Sequence, residues 1–423
     1  MTTSGGGQSR ILNPERIDAL STIYRNGLLS DTLPFWIDHC VDYEQGGFMF
    51  GLDRDGTVID TDKGMWQQGR FTWLLSTLYS TVERREEWLA LAKHGIDFIR
   101  CFGFDDDGRM FFRLTRDGRP LRKRRYVFTE TFGVAALAAY AQASGEDQAR
   151  QEALDLFQLV VRYLTTPGLI PPKFDPRNRP LKVLSTSMML IVTAQILRQV
   201  CDDPICDEWI ERSIAEIERH FLKPGFEAVL EAVGPQGEFS DHFEGRMLNP
   251  GHALEAAWFI LAEARYRGGD ARLVKLGTTI LDWMWRWGWD EECGGIIYFR
   301  DVKGLPVQEY WHDMKFWWPQ SEAIIATLMA YQATGEEKYA RWHQMAHDWA
   351  HQHFPDPEYG EWFGYLHRDG RLSSPVKGNL WKGPFHIPRM QLLSWQLLES
   401  LVAPLDARRR AGLTPDADRE RSR

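Results

Sequence analysis

The chain of 423 residues has few cysteines, and its hydrophobic residues never form a long run. Its five cysteines contain no Cys-x-x-Cys pair, which excludes a disulfide framework and a zinc ribbon and is typical of the reducing cytosol. No apolar run approaches the roughly 18 residues that a membrane helix requires. The first ten residues lack the basic and apolar stretches of a signal peptide. We therefore expect a cytoplasmic protein that does not associate with membranes.

Positive charge and cofactor motifs are also scarce. There are 50 Lys and Arg residues against 59 Asp and Glu residues, a net charge of −9, and basic clusters occur only at residues 122–125 and 408–410. Nucleic-acid binding is therefore not expected. The chain contains no His-Glu-x-x-His, no Walker loop and no Gly-x-Gly-x-x-Gly after a strand. We expect neither a metal ion nor another cofactor.

Aromatic residues, in contrast, are abundant. The chain has 18 Trp, 13 Tyr and 23 Phe, which together make 13% of the residues. The hydrophobic fraction of 43% is ordinary for a folded globular protein. Many of these rings can belong to the core, but so many Trp residues also suit a pocket that stacks sugar rings.

A repeat runs through the whole chain. Six segments share a polar or glycine-bearing start followed by a small and apolar helical run, and they recur every 57 to 70 residues. They begin near Trp66, Glu130, Ser187, His252, Glu322 and His386. Amphipathic runs lie before the first segment and between the others, which predicts six pairs of a buried and an outer helix. The expected fold is an all-α (α/α)6 barrel of six helical hairpins.

Short β-hairpins are predicted in four of the connections. Segments with turn glycines between apolar residues cover residues 46–58, 104–120, 293–306 and 359–371. Each follows an amphipathic run and precedes a buried one, so all should lie on one end of the barrel. We expect a single domain over residues 11–404, with a disordered N-terminus at 1–10 and a disordered, charged tail at 405–423.

Polar residues at the starts of the buried helices are the candidate active site. They are Arg70, Glu130, His252 with Glu255, Glu322, and His386 with Arg389. Residues three apart share one face of a helix, so each of the two pairs should point in one direction. If the barrel prediction is right, all six starts converge on one axis.

Four stretches of the sequence resemble the signature motifs of the N-acylglucosamine 2-epimerase family. They are MWQQGRFTWLLSTLY (65–79), GRMLNPGHALEAAWFILAEA (245–264), MKFWWPQSEAIIATLMAYQATG (314–335) and GNLWKGPFHIPRMQLL (378–393). The similarity runs from about residue 14 to 402. Members of that family adopt an (α/α)6 barrel and interconvert sugars at C2. The resemblance thus implies a sugar 2-epimerase or isomerase, most simply of the N-acylglucosamine 2-epimerase type.

The resemblance also implies catalytic roles. His252 and His386 correspond to the acid/base pair of the family, and Arg70 to the cation that stabilises negative charge at C1–C2 of the substrate. Glu255 and Glu322 correspond to residues that orient the histidines and the sugar. Arg389 corresponds to another active-site Arg of the family, and Trp381 is the first candidate for ring stacking. The full set of candidate substrate contacts is Arg389, Trp381, Trp318, Gln320, Glu130, Tyr126 and Arg246.

The chemistry calls for the same residue types. Epimerisation at C2 removes a proton next to a carbonyl and returns one on the opposite face, and an imidazole on each face suits both directions. The cis-enediolate intermediate needs a fixed cation, which Arg supplies without losing its proton. A carboxylate can hold an imidazole in one tautomer. No metal or nicotinamide is required.

Several alternatives stay open at this point. Gln320 matches the residue type found at this position in the cellobiose 2-epimerases. Ser185, Thr186 and Ser187, however, occupy a place where those enzymes carry a His. The substrate can therefore be an N-acyl sugar, mannose or glucose, or a disaccharide. Reprotonation at C1 would make the enzyme an aldose-ketose isomerase. The partner is in each case a small sugar, and a homodimer is one open assembly.

Two further classes compete with the isomerase. A glycoside hydrolase on the same barrel would use two of Glu130, Glu255 and Glu322 as its acid and its base or nucleophile. A noncatalytic binding protein is the other. The paired histidines argue against both. His343, His347 and His351, spaced at four residues, are interpreted as a solvated helix face instead of a metal site.

Overall fold

The structure, a computed structural model, describes residues 11–172 and 175–402. The predicted disordered ends, 1–10 and 405–423, lie outside the described residues. Most of the described chain is helical, in α1 (Pro14–Gly27), α2 (Leu33–Cys40), α3 (Met65–Thr81), α4 (Glu86–Phe102), α5 (Phe128–Ser144), α6 (Asp147–Thr165), α7 (Leu184–Leu197), α8 (Ile205–Glu216), α9 (Pro250–Tyr266), α10 (Ala271–Gly288), α11 (Trp317–Thr334), α12 (Glu337–His353) and α13 (His386–Val402). Single π-turns, Leu28–Thr32 and Ile217–Phe221, follow α1 and α8.

The predicted alternation of buried and outer helices is confirmed. The six apolar runs form α3, α5, α7, α9, α11 and α13, and each packs against the next of these helices. The amphipathic runs form α4, α6, α8, α10 and α12, which pack on the buried helices. The first outer run forms α1, and the π-turn after it leads into a further helix, α2, which was not predicted. One cluster of buried hydrophobic residues extends from Leu12 to Leu398.

Glycine and proline set the limits of several buried helices. Gly145 and Gly335 end α5 and α11 with φ of 75° and 72°, a left-handed conformation that residues with a Cβ rarely adopt. The chain can therefore reverse into the next outer helix within two residues. At the other end, Pro250 opens α9 and Asn249 caps it by accepting from the His252 backbone N–H.

Short strands fill the connections that lead from an outer helix to the next buried helix. They are β1 (Gly51–Leu52), β2 (Val58–Asp60), β3 (Lys63–Gly64), β4 (Phe111–Leu114), β5 (Pro120–Lys123), β6 (Lys182–Val183), β7 (Leu222–Lys223), β8 (Ala228–Val229), β9 (Ala232–Val233), β10 (Met247–Leu248), β11 (Arg300–Asp301), β12 (Lys315–Phe316), β13 (Tyr365–Leu366) and β14 (Leu372–Ser374). Pairs such as β3 with β4, β6 with β9 and β12 with β13 join neighbouring connections at the end where the buried helices begin.

Three of the four predicted hairpins are present in the structure, and the fourth is not. Antiparallel pairs occur at β1–β2, β4–β5 and β13–β14, close to the predicted positions. The segment 293–306 does not form a hairpin ladder, because β11 pairs with β10 of the preceding connection. Gly294 and Gly295, each with φ of 73°, already complete a tight turn between Trp289 and Ile296, so that the next residues reach the neighbouring edge.

Three buried aspartates join these connections by the same arrangement. Lys63 Nζ donates to Asp42 Oδ2 at 2.9 Å, and Arg116 of the following connection donates to both oxygens of that carboxylate. Burial opposes ionisation, but the hydrogen bonds from Arg116 and Lys63 hold the pKa of Asp42 below its usual range. The other two arrangements are Lys315 and Arg368 on Asp290, and Lys377 and Arg54 on Asp356.

The last of these arrangements brings together the first and last connections of the chain. Arg54 donates to Asp356 at 2.8 and 2.9 Å, although 302 residues separate them. At the same end of the helices, the ring of Trp73 on α3 meets that of Phe385, just before α13, with centroids 5.6 Å apart. The N-terminal and C-terminal parts of the described chain are thus in contact.

The interpretation of His343, His347 and His351 as a solvated face is wrong. The rings of all three lie within 6.3 Å of the ring of Tyr24 on α1, and the Tyr24 hydroxyl lies 2.8 Å from His347 Nδ1 and 3.1 Å from His343 Nε2. Burial lowers the pKa of His343 to about 3 and that of His351 to about 4. The sequence pattern misled because α1 covers this face of α12, and an outer helix was expected to meet solvent there.

The described residues contain no helix that is long and apolar enough to cross a membrane. All five cysteines are free thiols. Burial raises the pKa of Cys40 well above its usual range and that of Cys206 to about 12, which makes both thiols poor nucleophiles.

Candidate active site

A cavity of about 1360 Å³ opens where the buried helices begin. The first turns of α3, α5, α7, α9, α11 and α13 all contribute to its wall. Eight of the residues proposed from the sequence line it, namely Arg70, Tyr126, His252, Glu255, Trp318, Trp381, His386 and Arg389. The convergence of the helix starts is what brings together residues separated by more than 300 positions.

His386 begins α13 and is held by a buried carboxylate. Its Nδ1 lies 2.6 Å from Glu322 Oε1, and the Glu322 side chain is fully buried. Trp258 Nε1 donates to the other oxygen of Glu322 at 2.8 Å. Burial and the nearby charge of Arg389 lower the pKa of His386 well below its usual range. The imidazole is therefore neutral at neutral pH and can accept a proton from a substrate.

Arg389, one turn after His386 on α13, joins the two glutamates of the site. Its Nη2 donates to Glu255 Oε1 at 2.5 Å and to Glu322 Oε1 at 2.7 Å. All three side chains are buried. The predicted i, i+3 pairing of His386 and Arg389 on one face of the helix is thus realised, with the guanidinium balancing two carboxylate charges.

His252 has its own carboxylate partner, which the sequence analysis missed. Its Nδ1 lies 3.1 Å from both oxygens of Glu231 and 3.0 Å from Asn249 Nδ2. Glu231 lies between β8 and β9, in the apolar segment AVLEAV. A lone carboxylate in such a segment is the sequence signal that could have identified it. Glu255, which shares the helix with His252, serves Arg389 instead.

Arg70 lies in the cavity wall without an ion pair among the described residues. Its guanidinium lies over the rings of Phe132 and Phe385, at 4.3 and 4.7 Å from their centroids, and its Nε has no hydrogen-bond partner in that part of the chain. Burial lowers the pKa of Arg70 to about 9, against the opposing charge of Glu255. The group stays cationic at neutral pH, and a buried cation of this kind is suited to an oxygen that becomes negative during a reaction.

Aromatic rings form much of the remaining wall. Trp318 packs against both histidines, with its ring centroid 5.1 Å from that of His252 and 5.8 Å from that of His386. Trp381 lies at the mouth, where 45% of it is exposed and its ring is 5.8 Å from that of Trp66. The exposed indole face suits a sugar ring, in agreement with the aromatic composition.

Three proposed substrate contacts do not line the cavity. The amide of Gln320 is fully buried and bonds the backbone N and O of Ile296, so it fixes a connection and gives no direct information on the substrate. Glu130 accepts hydrogen bonds from Arg109 and from the Met110 backbone N–H. Arg246 pairs with Asp301 and Asp241. Each of these residues stabilises a connection. Their position at or before a helix start does not show whether a side chain contacts the substrate or holds a connection in place.

One group of side chains has the spacing of a metal site. The ligand atoms of Glu255, Glu322 and His386 all lie within 4.8 Å of one another. Arg389 Nη2, however, donates to both carboxylates and lies 3.3 Å from His386 Nδ1. The positive charge that this trio requires is thus already supplied by a guanidinium, and a divalent cation would have to displace it.

Comparisons with known proteins agree with this geometry. A sequence model described as N-acylglucosamine 2-epimerase matches residues 46–387. The chain is 37% identical to the N-acylglucosamine 2-epimerase of Bos taurus over 391 residues, which cover 89% of this chain and 91% of the relative.

Solved structures share the fold. The similarity to cellobiose 2-epimerase from Bacillus thermoamylovorans has a TM-score of 0.80 at 22% identity and covers 90% of this chain and 99% of the other. The similarity to D-mannose isomerase has a TM-score of 0.75 at 17% identity and covers 93% of this chain and all of the other. From the matched sequence model and the bovine relative, the chain belongs to the N-acylglucosamine 2-epimerase family.

Proposed function

We propose that the protein is a sugar 2-epimerase that interconverts N-acylglucosamine and N-acylmannosamine by proton transfer at C2. The observation that carries this proposal is a pair of imidazoles in one cavity, His252 and His386, each with a carboxylate at its Nδ1. The identity of 37% with an N-acylglucosamine 2-epimerase over most of the chain supports the N-acyl substrate.

The carboxylates determine which nitrogen of each histidine reacts. A carboxylate at Nδ1 favours the tautomer that carries its proton there, so Nε2 is the basic nitrogen. In one direction the neutral His386 removes the proton from C2 of the open-chain sugar, and protonated His252 delivers a proton to the opposite face. The return reaction exchanges the two roles. Charge is conserved, since one imidazole gains the proton that the other loses.

The intermediate carries negative charge on the oxygen at C1, and Arg70 is the group that stabilises it. Arg389 is less suited to this role, because Glu255 and Glu322 already balance its charge. Arg70 forms no ion pair with the described residues, and its Nε has no hydrogen-bond partner among them. A buried guanidinium without a carboxylate stabilises a developing oxyanion more than it stabilises a neutral carbonyl, which lowers the barrier selectively.

The hydrolase alternative is less well supported. Glu130 is not a candidate acid for a hydrolase, because its carboxylate is bound to Arg109 outside the cavity. The two remaining carboxylates, Glu255 and Glu322, share one guanidinium of Arg389. A hydrolase needs one carboxyl group that is free to act as its acid, whereas here both carboxylates accept hydrogen bonds from Arg389 and Glu322 does not line the cavity.

We also propose that the helices close into a barrel and that the protein is cytoplasmic. The contacts of α3 with Phe385 and of Arg54 with Asp356 support closure into an (α/α)6 barrel, formed as a single domain over residues 11–404. Five free thiols support a cytoplasmic location. A homodimer remains a prediction, and light scattering of the purified protein in solution checks it.

The direct test is proton NMR of the purified protein with N-acetylmannosamine, mannose and cellobiose in separate tubes. We expect conversion of N-acetylmannosamine into N-acetylglucosamine, unchanged by a chelator or by added nicotinamide. Formation of a ketose from mannose without reaction of the N-acetyl sugar would replace the epimerase proposal by the isomerase alternative. Free monosaccharide released from cellobiose would support the hydrolase.

A further inference from the structure

The cavity is larger than one monosaccharide requires. Its volume of about 1360 Å³ exceeds the roughly 300–1,000 Å³ of ordinary small-molecule sites. Its wall includes the catalytic residues at the starts of the buried helices, but also Gln199 and Tyr266 near the ends of α7 and α9. Fourteen residues of helix correspond to about 21 Å. The cavity therefore continues beneath the reacting groups along two helices.

One face of α7 forms the first wall of this extension. Ser185, Met189, Val192 and Ile196 line the cavity at intervals of four, three and four residues, which places them in one row. Met189, Val192 and Ile196 are only half-buried, although α7 is one of the inner helices, because they face this space. Thr193 also contributes to the cavity wall.

One face of α9, the buried helix that packs beside α7, forms the second wall. Glu255, Phe259, Ala262 and Tyr266 line the cavity with the same spacing, beginning one turn after His252. Ala262 is half-buried, and its small side chain leaves the space open. We call the part lined by Met189, Val192, Ile196, Phe259 and Ala262 the α7–α9 channel.

Three polar side chains near the far end of the channel, Gln195, Arg198 and Glu263, are bonded to one another. Gln195 donates its amide to the Phe259 carbonyl and to Glu263. Arg198 donates to Glu263 at 2.8 and 3.1 Å, and its guanidinium lies over the ring of Tyr266 at 3.6 Å. These groups close the end of the channel without offering their hydrogen bonds to a ligand in its middle.

The channel wall selects among possible occupants. A second sugar ring would bury several hydroxyl groups against Met189, Val192, Ile196 and Phe259, and a buried hydroxyl without a partner costs about 1–3 kcal/mol. Ordered water has the same need for polar neighbours. A hydrocarbon chain needs no polar neighbours, and its transfer from water into an apolar channel is favourable.

We propose that the α7–α9 channel holds the acyl chain of N-acyl hexosamines whose acyl group is longer than acetyl. The inference rests on the proposed function, because in an N-acyl hexosamine the acyl group is carried by the nitrogen on C2, the carbon that reacts between His252 and His386. The channel begins one turn below these residues, in the same continuous cavity. A linear acyl group can therefore enter it while C2 stays at the histidines.

The experiment compares N-acetyl-D-mannosamine with N-hexanoyl-D-mannosamine as substrates of the full-length protein. Each buried methylene strengthens binding by up to about fourfold. We therefore expect a KM at least about tenfold lower for the hexanoyl sugar, with turnover retained. The product is measured by NMR, which reads the epimer directly.

Two variants test whether the acyl chain of the substrate occupies the α7–α9 channel. Ala262→Phe fills the channel from α9, and Val192→Phe fills it from α7. Ala271→Phe, the same substitution as Ala262→Phe but at an exposed position on α10, is the control. The measured quantity is the ratio of kcat/KM for the hexanoyl sugar to that for the acetyl sugar. We expect the ratio to fall at least about tenfold in either channel variant and to stay unchanged in Ala271→Phe.

The outcomes separate this inference from the proposed function. If the acetyl sugar reacts and the hexanoyl sugar has an equal or higher KM, the channel assignment is wrong and the epimerase proposal stands. An unchanged ratio in both channel variants overturns it as well. If neither N-acyl sugar reacts, the proposed function fails, and the acyl channel fails with it.

Discussion

His252 and His386 pack against the same indole, that of Trp318, but differ in exposure. Of the His252 side chain 28% is exposed, against 10% of the His386 side chain. Glu231 holds the first imidazole and Glu322 the second. In a mechanism with two bases, each imidazole handles the C2 proton of one epimer, so the two histidines are distinguishable by experiment.

Replacing either histidine should stop epimerisation but leave half of the proton exchange. His252→Asn and His386→Asn are each expected to lower kcat by at least about 10²-fold, the usual effect of losing a general acid or base. The remaining imidazole can still exchange the C2 proton of one epimer with solvent. We therefore expect each variant in D₂O to label one epimer, and the two variants to label opposite ones.

Proton NMR of each epimer incubated with each variant measures this exchange. Labelling of both epimers by the same variant, or epimerisation at more than about a tenth of the normal rate, would contradict the two-base assignment. Circular dichroism confirms that the variants are folded.

Glu231 should matter for catalysis although it lies outside the helices. Glu231→Gln removes the carboxylate that orients the His252 ring, and losses of this kind typically cost 10- to 100-fold. We expect a fall of kcat in that range, measured by the rate of epimer formation. Glu238→Gln, an exposed position in the same connection, is the matched control. Equal rates for the two variants would remove Glu231 from the site.

Glu130 should affect stability and not chemistry. Its carboxylate accepts from Arg109 and from the Met110 backbone N–H in a buried position outside the cavity. Breaking a buried ion pair costs about 3–5 kcal/mol. We expect Glu130→Gln to lower the free energy of unfolding by a similar amount in urea titrations, with kcat of the folded enzyme within about twofold of normal. Loss of kcat without loss of stability would return Glu130 to the substrate site.

The buried histidines of α12 should make the protein sensitive to acid. Burial lowers the pKa of His343 to about 3 and of His351 to about 4, whereas the unfolded chain has an ordinary pKa of about 6.5. Above pH 6.5 these imidazoles are neutral in both states. Below it the unfolded state binds protons that the folded state does not, so stability falls as the pH drops from 6.5 towards 4.

The expected loss is about 1.4 kcal/mol per pH unit for each such histidine. Urea titrations at pH 7, 6 and 5 measure it. His343→Gln should make this dependence less steep, whereas His39→Gln, at an exposed position, should leave it unchanged. Equal stability at pH 7 and pH 5 would contradict the account of this cluster.

The sequence predicted what depends on periodicity. Spacing of apolar residues located all six buried helices, and motif resemblance placed His252, His386, Arg70, Glu255 and Arg389 in one cavity. It could not predict which polar residues at the helix starts face the cavity. Gln320 and Glu322 are two residues apart on α11 and therefore point in different directions, one to a connection and one to His386.

Contacts that cross between distant segments were equally beyond the sequence. Glu231 reaches His252 from a connection of short strands, and Tyr24 covers the histidines of α12 from the other end of the chain. Neither contact leaves a periodic signal, since each depends on how two separate segments pack. A lone charged or polar residue in an apolar segment is the most that the sequence shows.

The central claim is proton transfer at C2 by two histidines, and the reaction of N-acetylmannosamine in D₂O tests it most directly. Proton NMR should show N-acetylglucosamine in which deuterium has replaced the hydrogen at C2, because the new proton comes from an imidazole that exchanges with solvent. An epimerised product that keeps its original hydrogen at C2 would contradict the account.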